Sequence, residues 1–331
     1  MSVSVLIPAY RAKYVGQAIA SVLAQGYEDY ELLVNDDSAG DEVKAVVDRF
    51  ADPRIRYSRT AGREGGAANA RQLWEMARHD LIKYLFDDDL LLPHALPELV
   101  AQMEAHPRAS FVFGHRDIID DGGRVTAEPR LLGAGKVAVL EPEKMAELTV
   151  STVRNLIGEY CNLLMNRAAG LVLDDLLAYN GMPVESLTDV AFFLNASRKG
   201  PAVGIGKTVS QFRRHANQNS TPGFHPLFHK GLFEWELFLR GEFAGGRLTP
   251  EQALAGLGRL EVAYPNWLGR IPELGLFTAG HPALKAKIQA GERDVFDDAF
   301  RACWDEASAA ATARVAREGT RLQALQATGE L

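Results

Sequence analysis

Between residues 3 and 86 the chain alternates repeatedly between short apolar runs and segments of helical period, and no other feature limits the fold as much. Residues 3–7, 30–34, 55–57 and 81–86 are rich in β-formers and have the length of buried strands. Between them Val15, Ile19, Val22 and Leu23 recur at helical spacing, as do Val43, Val46, Val47 and Phe50, and residues 66–76 read as a third helix. Strand and helix in alternation predict a mostly parallel sheet flanked by helices, in which ligands gather beyond the carboxyl ends of the strands.

Acidic residues collect at that edge. The second strand ends in Asn35-Asp36-Asp37-Ser38, the fourth in Asp87, Asp88 and Asp89, and the first delivers Pro8, Ala9 and Tyr10 to the same side. Two carboxylates about 4 Å apart repel by roughly 4 kcal/mol at an effective dielectric near 20. Three in a row therefore either stay a solvated acidic turn or recruit a cation, and hard oxygen donors suit Mg2+ or Mn2+. A carboxylate at the end of strand 2 can accept the ring N–H of a uracil, thymine or guanine base, while a metal at the strand 4 end neutralises a diphosphate. Arg71, on the helix opened by the EGGAANAR stretch, offers a positive partner to base or phosphate, or a structural ion pair.

The remaining limits are compositional. The 331 residues suffice for one large domain and an appendage, or for two medium domains. A net charge of -7 argues against a general nucleic-acid surface. Cys161 and Cys303 lack metal-type spacing and suit a reducing compartment. The start carries no signal-peptide pattern and no window has the length of a membrane span, so the expected location is the cytoplasm.

The stretches VSVLIPAY, SVLAQ, NDDS, GGAANARQ and FDDDLLLP, in this order and spacing, resemble the family 2 glycosyltransferases of the GT-A fold, strongly over residues 2–125 and more weakly to about residue 220. The resemblance implies transfer of a sugar from a nucleotide diphosphate-sugar, with inversion and with Mg2+ or Mn2+, UDP or dTDP being favoured. It implies that Pro8, Ala9, Tyr10, Asp36, Asp37, Arg71, Asp87 and Asp88 line the nucleotide. Asp87 and Asp89 become an Asp-x-Asp metal pair, and counting back from Pro93 makes Asp89 the firmer ligand. The sequence departs from the family pattern at Arg11, Gln72, Phe86 and Thr188, where Asn, Asn, Asp and Glu are common.

Further along, residues 110–114 and 161–165 read as strands, 117–125 as a hairpin turning at Asp121-Gly122-Gly123, and 127–142 as a loop. Val190, Phe193 and Leu194 form a helix face with Asp189 near its amino end. Asp189 matches the family's general base, with Glu185 in reserve; the other reading is a carboxylate satisfying free helix N–H groups. A strand bearing Val209, Gln211 and Arg213 would deliver His215 to metal and diphosphate, with Arg213 and Arg214 offsetting phosphate charge.

Residues 1–224 are thus expected to form a catalytic domain, divided into a nucleotide half at 1–125 and an acceptor half at 126–224. A helical region at 225–331 follows, with stripes at Phe228, Leu232, Trp235, Phe238 and Leu239, at Leu254, Leu257, Leu260 and Val262, and at Phe296, Phe300, Cys303 and Ala307. These stripes pack on their own domain, form a homodimer, or contact a membrane that carries a lipid-linked glycan acceptor. Two rival functions remain: a catalytically silent sugar-nucleotide-binding scaffold, and a sugar nucleotidyltransferase, which would want a Gly-rich loop in place of PAYRAKY.

Overall fold

A computed structural model describes residues 1–61, 64–215, 218 and 230–328, with side chains to residue 317. β1 (Val3–Ala9) leads into α1 (Ala12–Leu23), β2 (Tyr30–Asp36) into α2 (Glu42–Val47), and β3 (Ile55–Arg59) into α3 (Gly66–Met76). β4 (Leu81–Tyr84) runs into the acidic turn, followed by β5 (Leu90–Leu91), α4 (Ala95–Ala105), β6 (Phe111–Ile119), β7 (Val125–Ala127), β8 (Val137–Leu140) and α5 (Pro142–Ala146). Then come β9 (Leu163–Asn166), α6 (Asp174–Leu177), β10 (Ala178–Tyr179), β11 (Met182–Pro183), α7 (Thr188–Ser197) and β12 (Ala202–Arg213). The helices α8 (Gly231–Ala244), α9 (Pro250–Ala263), α10 (Leu274–Ala290) and α11 (Asp298–Thr328) complete the chain.

The main sheet has the order β3-β2-β1-β4-β9-β6-β12-β5, with β7 paired to β6 and β8 to β12. Its first four strands are parallel, as the alternation predicts, with Leu6 opposite Tyr84 and Ala9 opposite Asp36. Parallel register brings the carboxyl ends of β1, β2 and β4 to one edge. β1 and β2 are buried along almost their whole length, and α1 buries Tyr14, Val15, Ala18, Ile19 and Val22, a face at positions i, i+1, i+4, i+5 and i+8. Each such Val or Ile contributes about 1.5–3 kcal/mol by leaving water.

Beyond β4 the pairing is mixed. β9 is antiparallel to β4 and β6, whereas β12 is parallel to β6 and antiparallel to β5. That last pairing sets Leu90 opposite Gln211 and Leu91 opposite Ser210, so the end of β12 lies beside the turn preceding β5.

Three local expectations change. The segment 127–142, expected as a loop, contains β8, which pairs Val137–Leu140 with β12. Val137 and Val139 are exposed, so this edge strand is held by its main-chain ladder, and burial patterning cannot reveal it. Residues 160–162 form a short helical turn and β9 starts at Leu163; the buried Asn162 amide donates to the carbonyls of Gly114 and Ile157, offering the backbone an alternative to the ladder. β4 stops at Tyr84, two residues short of the expected strand end.

The chain divides into two units, one of residues 1–141, 156–176 and 192–215, the other of 142–155, 177–191 and 216–331. The expected boundary at 224–225 and the expected helical Phe228 lie outside the described residues, as do Ala216 and Asn217 after His215. In the second unit α9 starts with a capping box, Thr249 and Gln252 satisfying each other's backbone N–H groups. α8 buries Phe233, Leu237 and Phe238 but also Glu234, Glu236, Arg240 and Glu242. Each buried charge is partnered: Glu236 meets Arg240 at 2.7 Å and His281 at 2.9 Å, Glu242 accepts from Tyr179 at 2.6 Å, and Glu234 caps the N–H groups of Glu185, Ser186 and Leu187. Among the described residues no helix is long and apolar enough to cross a membrane.

Candidate functional site

The three adjacent aspartates differ sharply in their surroundings. Asp87 is 4% exposed, and one of its oxygens accepts the N–H groups of Tyr10 and Arg11, both at 2.9 Å, which closes the loop after β1 onto the acidic turn. Burial, with the charge of Asp88 beside it, pushes the Asp87 carboxyl up to about 6. Asp89 is fully buried; one oxygen takes the N–H of Arg213 at 2.9 Å, the other the thiol of Cys161 at 2.9 Å. Burial and Asp88 hold its carboxyl well above the usual range. Asp88 is the one left partly open, with an oxygen 3.0 Å from Nε2 of His215.

These contacts distinguish the expected metal residues from one another. Asp87 and Asp89, expected as the metal pair, spend their acceptors on the loops that frame the site, whereas Asp88 accepts from the His215 ring. Among the described residues no three His, Cys, Asp or Glu side chains converge as a self-sufficient metal site. Mg2+ and Mn2+ commonly take only one or two carboxylates and complete their shell with water and substrate phosphates, and the pair Asp88 and His215 fits that requirement.

At the end of β2 the two carboxylates also separate. Asp36 is fully buried and accepts from the Tyr57 hydroxyl at 2.7 Å and the Ser38 N–H at 2.8 Å. Asp37 accepts the Thr60 hydroxyl at 2.6 Å and the N–H groups of Glu64 and Gly65 at 2.9 Å, so it fastens the loop entering α3. Gly65 has φ 90°, a left-handed conformation that a side chain would strain. Asn69 and Gln72, from the same glycine-rich stretch, both accept from the Asn35 amide, and Asn69 donates to the carbonyls of Ala9 and Asn35. Pro8 and Ala9 are therefore held level with Asn35 and Asp36. Tyr10 is 40% exposed beneath the Arg11 guanidinium, which lies 4.2 Å from its ring centre. Arg71 is exposed on α3 and makes no hydrogen bond or ion pair among the described residues.

Asp189 sits in the first turn of α7, in the second unit. Its Oδ1 accepts the Val190 N–H at 2.8 Å and its Oδ2 the amide of Asn155 at 2.5 Å, so the carboxylate is fixed in direction. Glu185 is exposed and pairs with Lys230 at 2.6 Å. Asn155 and Cys161 had no sequence signal: neither belongs to a spacing pattern, and each acquires its role only by meeting a carboxylate far along the chain.

Lys83, on β4, is fully buried, and its ammonium donates to the carbonyl of Cys161. Burial pushes it down to about 8 from an unfolded value near 10.5. Below pH 8 both states hold the proton and the cost of burying the charge is fully present; above it the unfolded chain binds more protons, so stability should rise with pH until about 10.5. The shift corresponds to about 3 kcal/mol. Denaturant melts of the parent and Lys83→Met across pH 7–10.5 should show this rise only in the parent; parallel curves would refute it.

A family model described as Glycosyl transferase family 2 matches residues 4–156. Among characterised relatives, a UDP-Glc:α-D-GlcNAc-diphosphoundecaprenol β-1,3-glucosyltransferase of Escherichia coli is 32% identical over 124 residues, 37% of this chain and 49% of the relative. A GalNAc(5)-diNAcBac-PP-undecaprenol β-1,3-glucosyltransferase of Campylobacter jejuni is 31% identical over 129 residues, 38% of this chain and 41% of that one. The chain thus matches about half or less of these relatives' length. Among solved structures, S. aureus TarS 1-349 has a TM-score of 0.59 at 14% identity, covering 89% of this chain and 88% of that one, and its complex with UDP-GlcNAc a TM-score of 0.56. This likeness establishes the fold, a GT-A fold.

Proposed function

Because residues 4–156 match the glycosyl transferase family 2 model, we propose that this chain is an inverting glycosyltransferase that moves a sugar from a UDP-sugar, or a dTDP-sugar, to a glycan or lipid-linked acceptor. The observation that carries the reading is the partly open Asp88 carboxylate 3.0 Å from His215, at the sheet edge where ligands of such folds gather. Asp88 and His215 would hold Mg2+ or Mn2+, and the metal would neutralise the leaving diphosphate. Named relatives that act on diphosphoundecaprenol-linked glycans support the acceptor class, and a structural neighbour solved with UDP-GlcNAc supports the donor class.

In the proposed reaction Asp189 takes the proton of the acceptor hydroxyl while that oxygen bonds to the anomeric carbon. The bond from this carbon to the diphosphate breaks on the opposite face, and the nucleoside diphosphate leaves with the electron pair. Asn155 keeps the Asp189 carboxylate aimed. Tyr10 and Pro8 flank the base, and Arg71 meets phosphate or base. Of the two acids after β2, Asp36 is the base reader: among the described residues one of its oxygens accepts from the Tyr57 hydroxyl alone, a donor that a base N–H can replace, whereas Asp37 is tied to backbone N–H groups.

The test is calorimetry with UDP, dTDP, GDP and CDP, each with Mn2+ and with chelator. UDP or dTDP should bind tightest and only with metal, and CDP worst, because cytosine lacks the ring N–H that Asp36 accepts. Equal binding of all four would remove that role from Asp36, and no binding of any would overturn the donor class.

A further inference from the structure

Arg213 is 1% exposed, yet its guanidinium has no carboxylate partner among its hydrogen bonds. Nε donates to the carbonyl of Asp88 at 2.9 Å, one terminal nitrogen to the carbonyls of Asp120 and Asp121 at 3.3 and 3.1 Å, and the other to the Gln17 side chain at 2.8 Å. The residue's own N–H goes to Asp89 at 2.9 Å. A buried charge satisfied by neutral acceptors contributes little stability, and an apolar side chain of that volume packs at lower cost. What the fork achieves is geometric. It joins three segments far apart in sequence: the acidic turn, the turn between β6 and β7, and α1.

The same guanidinium lies 4.5 Å over the ring of Tyr14, whose ring also has the Lys13 ammonium at 4.7 Å and the His215 ring at 5.2 Å between centroids. The Tyr14 hydroxyl donates to Asp121, whose oxygens also hold Lys13 at 2.9 and 3.0 Å. His215 thus stands between Tyr14 and Asp88, and both of these are fixed by Arg213, two residues upstream. We infer that Arg213 is a positioning residue: through Tyr14 and the Asp88 backbone it orients His215 on the Asp88 carboxylate, and it does not itself meet phosphate. This deepens the proposed function, resting on the placement of the diphosphate at Asp88 and His215. It also replaces the expectation that Arg213 offsets phosphate charge, a role left to the exposed Arg214.

The test uses the full chain with Arg213→Lys, which keeps the charge and loses the fork, and Gln17→Ala, which removes one acceptor at an exposed site and spares the core. Two readouts are taken: the contact between the His215 and Tyr14 rings by NMR, and UDP affinity with and without Mn2+. In Arg213→Lys the ring contact should disappear and the Mn2+-linked gain in UDP affinity should fall about 10- to 100-fold, the usual cost of a lost support behind a metal ligand. Gln17→Ala should show both changes to a smaller degree. Adding Arg213→Lys to His215→Gln should cost no further metal-linked affinity, because both act on one group. Retention of the ring contact in a folded variant, or additive losses in the double variant, would overturn the inference. A parent that binds UDP with no response to Mn2+ would instead overturn the diphosphate placement, and the ring contact would still decide the role of Arg213.

Discussion

Asp189→Asn should lower the transfer rate by about 100- to 10,000-fold, the usual worth of a general base, while UDP affinity and its Mn2+ dependence stay within a few-fold of the parent. The amide keeps the size of the side chain, and its oxygen can still accept from Asn155 or from the Val190 N–H, so the local geometry of α7 persists. What is lost is the capacity to take a proton at neutral pH. A loss confined to kcat separates chemistry from donor binding. If Asp189 serves only the helix end, the result differs: about 1 kcal/mol of stability goes and turnover remains nearly intact. Transfer rate, nucleotide affinity and melting temperature measured on the one variant distinguish the outcomes, and near-parental turnover would shift the base to Glu185. A catalytically silent scaffold predicts no turnover in the parent either.

Neighbouring aspartates in the acidic turn should respond in opposite ways. Asp88→Asn should remove most of the Mn2+-linked gain in UDP affinity with little change in melting temperature. A unit charge about 4 Å from another is worth roughly 4 kcal/mol at a dielectric near 20, so the loss can reach the order of a thousandfold. Asp89→Asn should mainly destabilise. Its two oxygens accept the Arg213 N–H and the Cys161 thiol in a fully buried setting, and an amide has only one acceptor oxygen, leaving a buried donor without its partner. That costs about 1–3 kcal/mol. Reversed results, with metal linkage lost in Asp89→Asn and kept in Asp88→Asn, would restore Asp89 as the metal ligand.

How far the sequence could be read follows from where each residue's partners lie. The helices α1 and α3 and the strands β1 to β4 are legible because their periodicity is local, and parallel alternation then places Asp36, Asp37 and Asp87 to Asp89 on one edge. The hairpin turn near Asp121 and the strand ending at Arg213 are legible for the same reason. β8 was hidden because its valines face solvent and its pairing partner lies more than sixty residues further on. α10 carries Pro282 in its interior, which argues against a helix when read locally.

The amino-acid sequence by itself determined the fold class, the edge at which the acids gather and the stretches that mark the family, since these depend on period and order along the chain. Only the tertiary structure decided which of three consecutive carboxylates is open. Asp87 is taken by the N–H groups of Tyr10 and Arg11, Asp89 by Cys161 and Arg213, and Asp88 is left to His215. Those partners lie 72 to 127 positions away. A carboxylate's role is set by the donors that reach it and by the water excluded around it, and neither is encoded in the spacing of its neighbours.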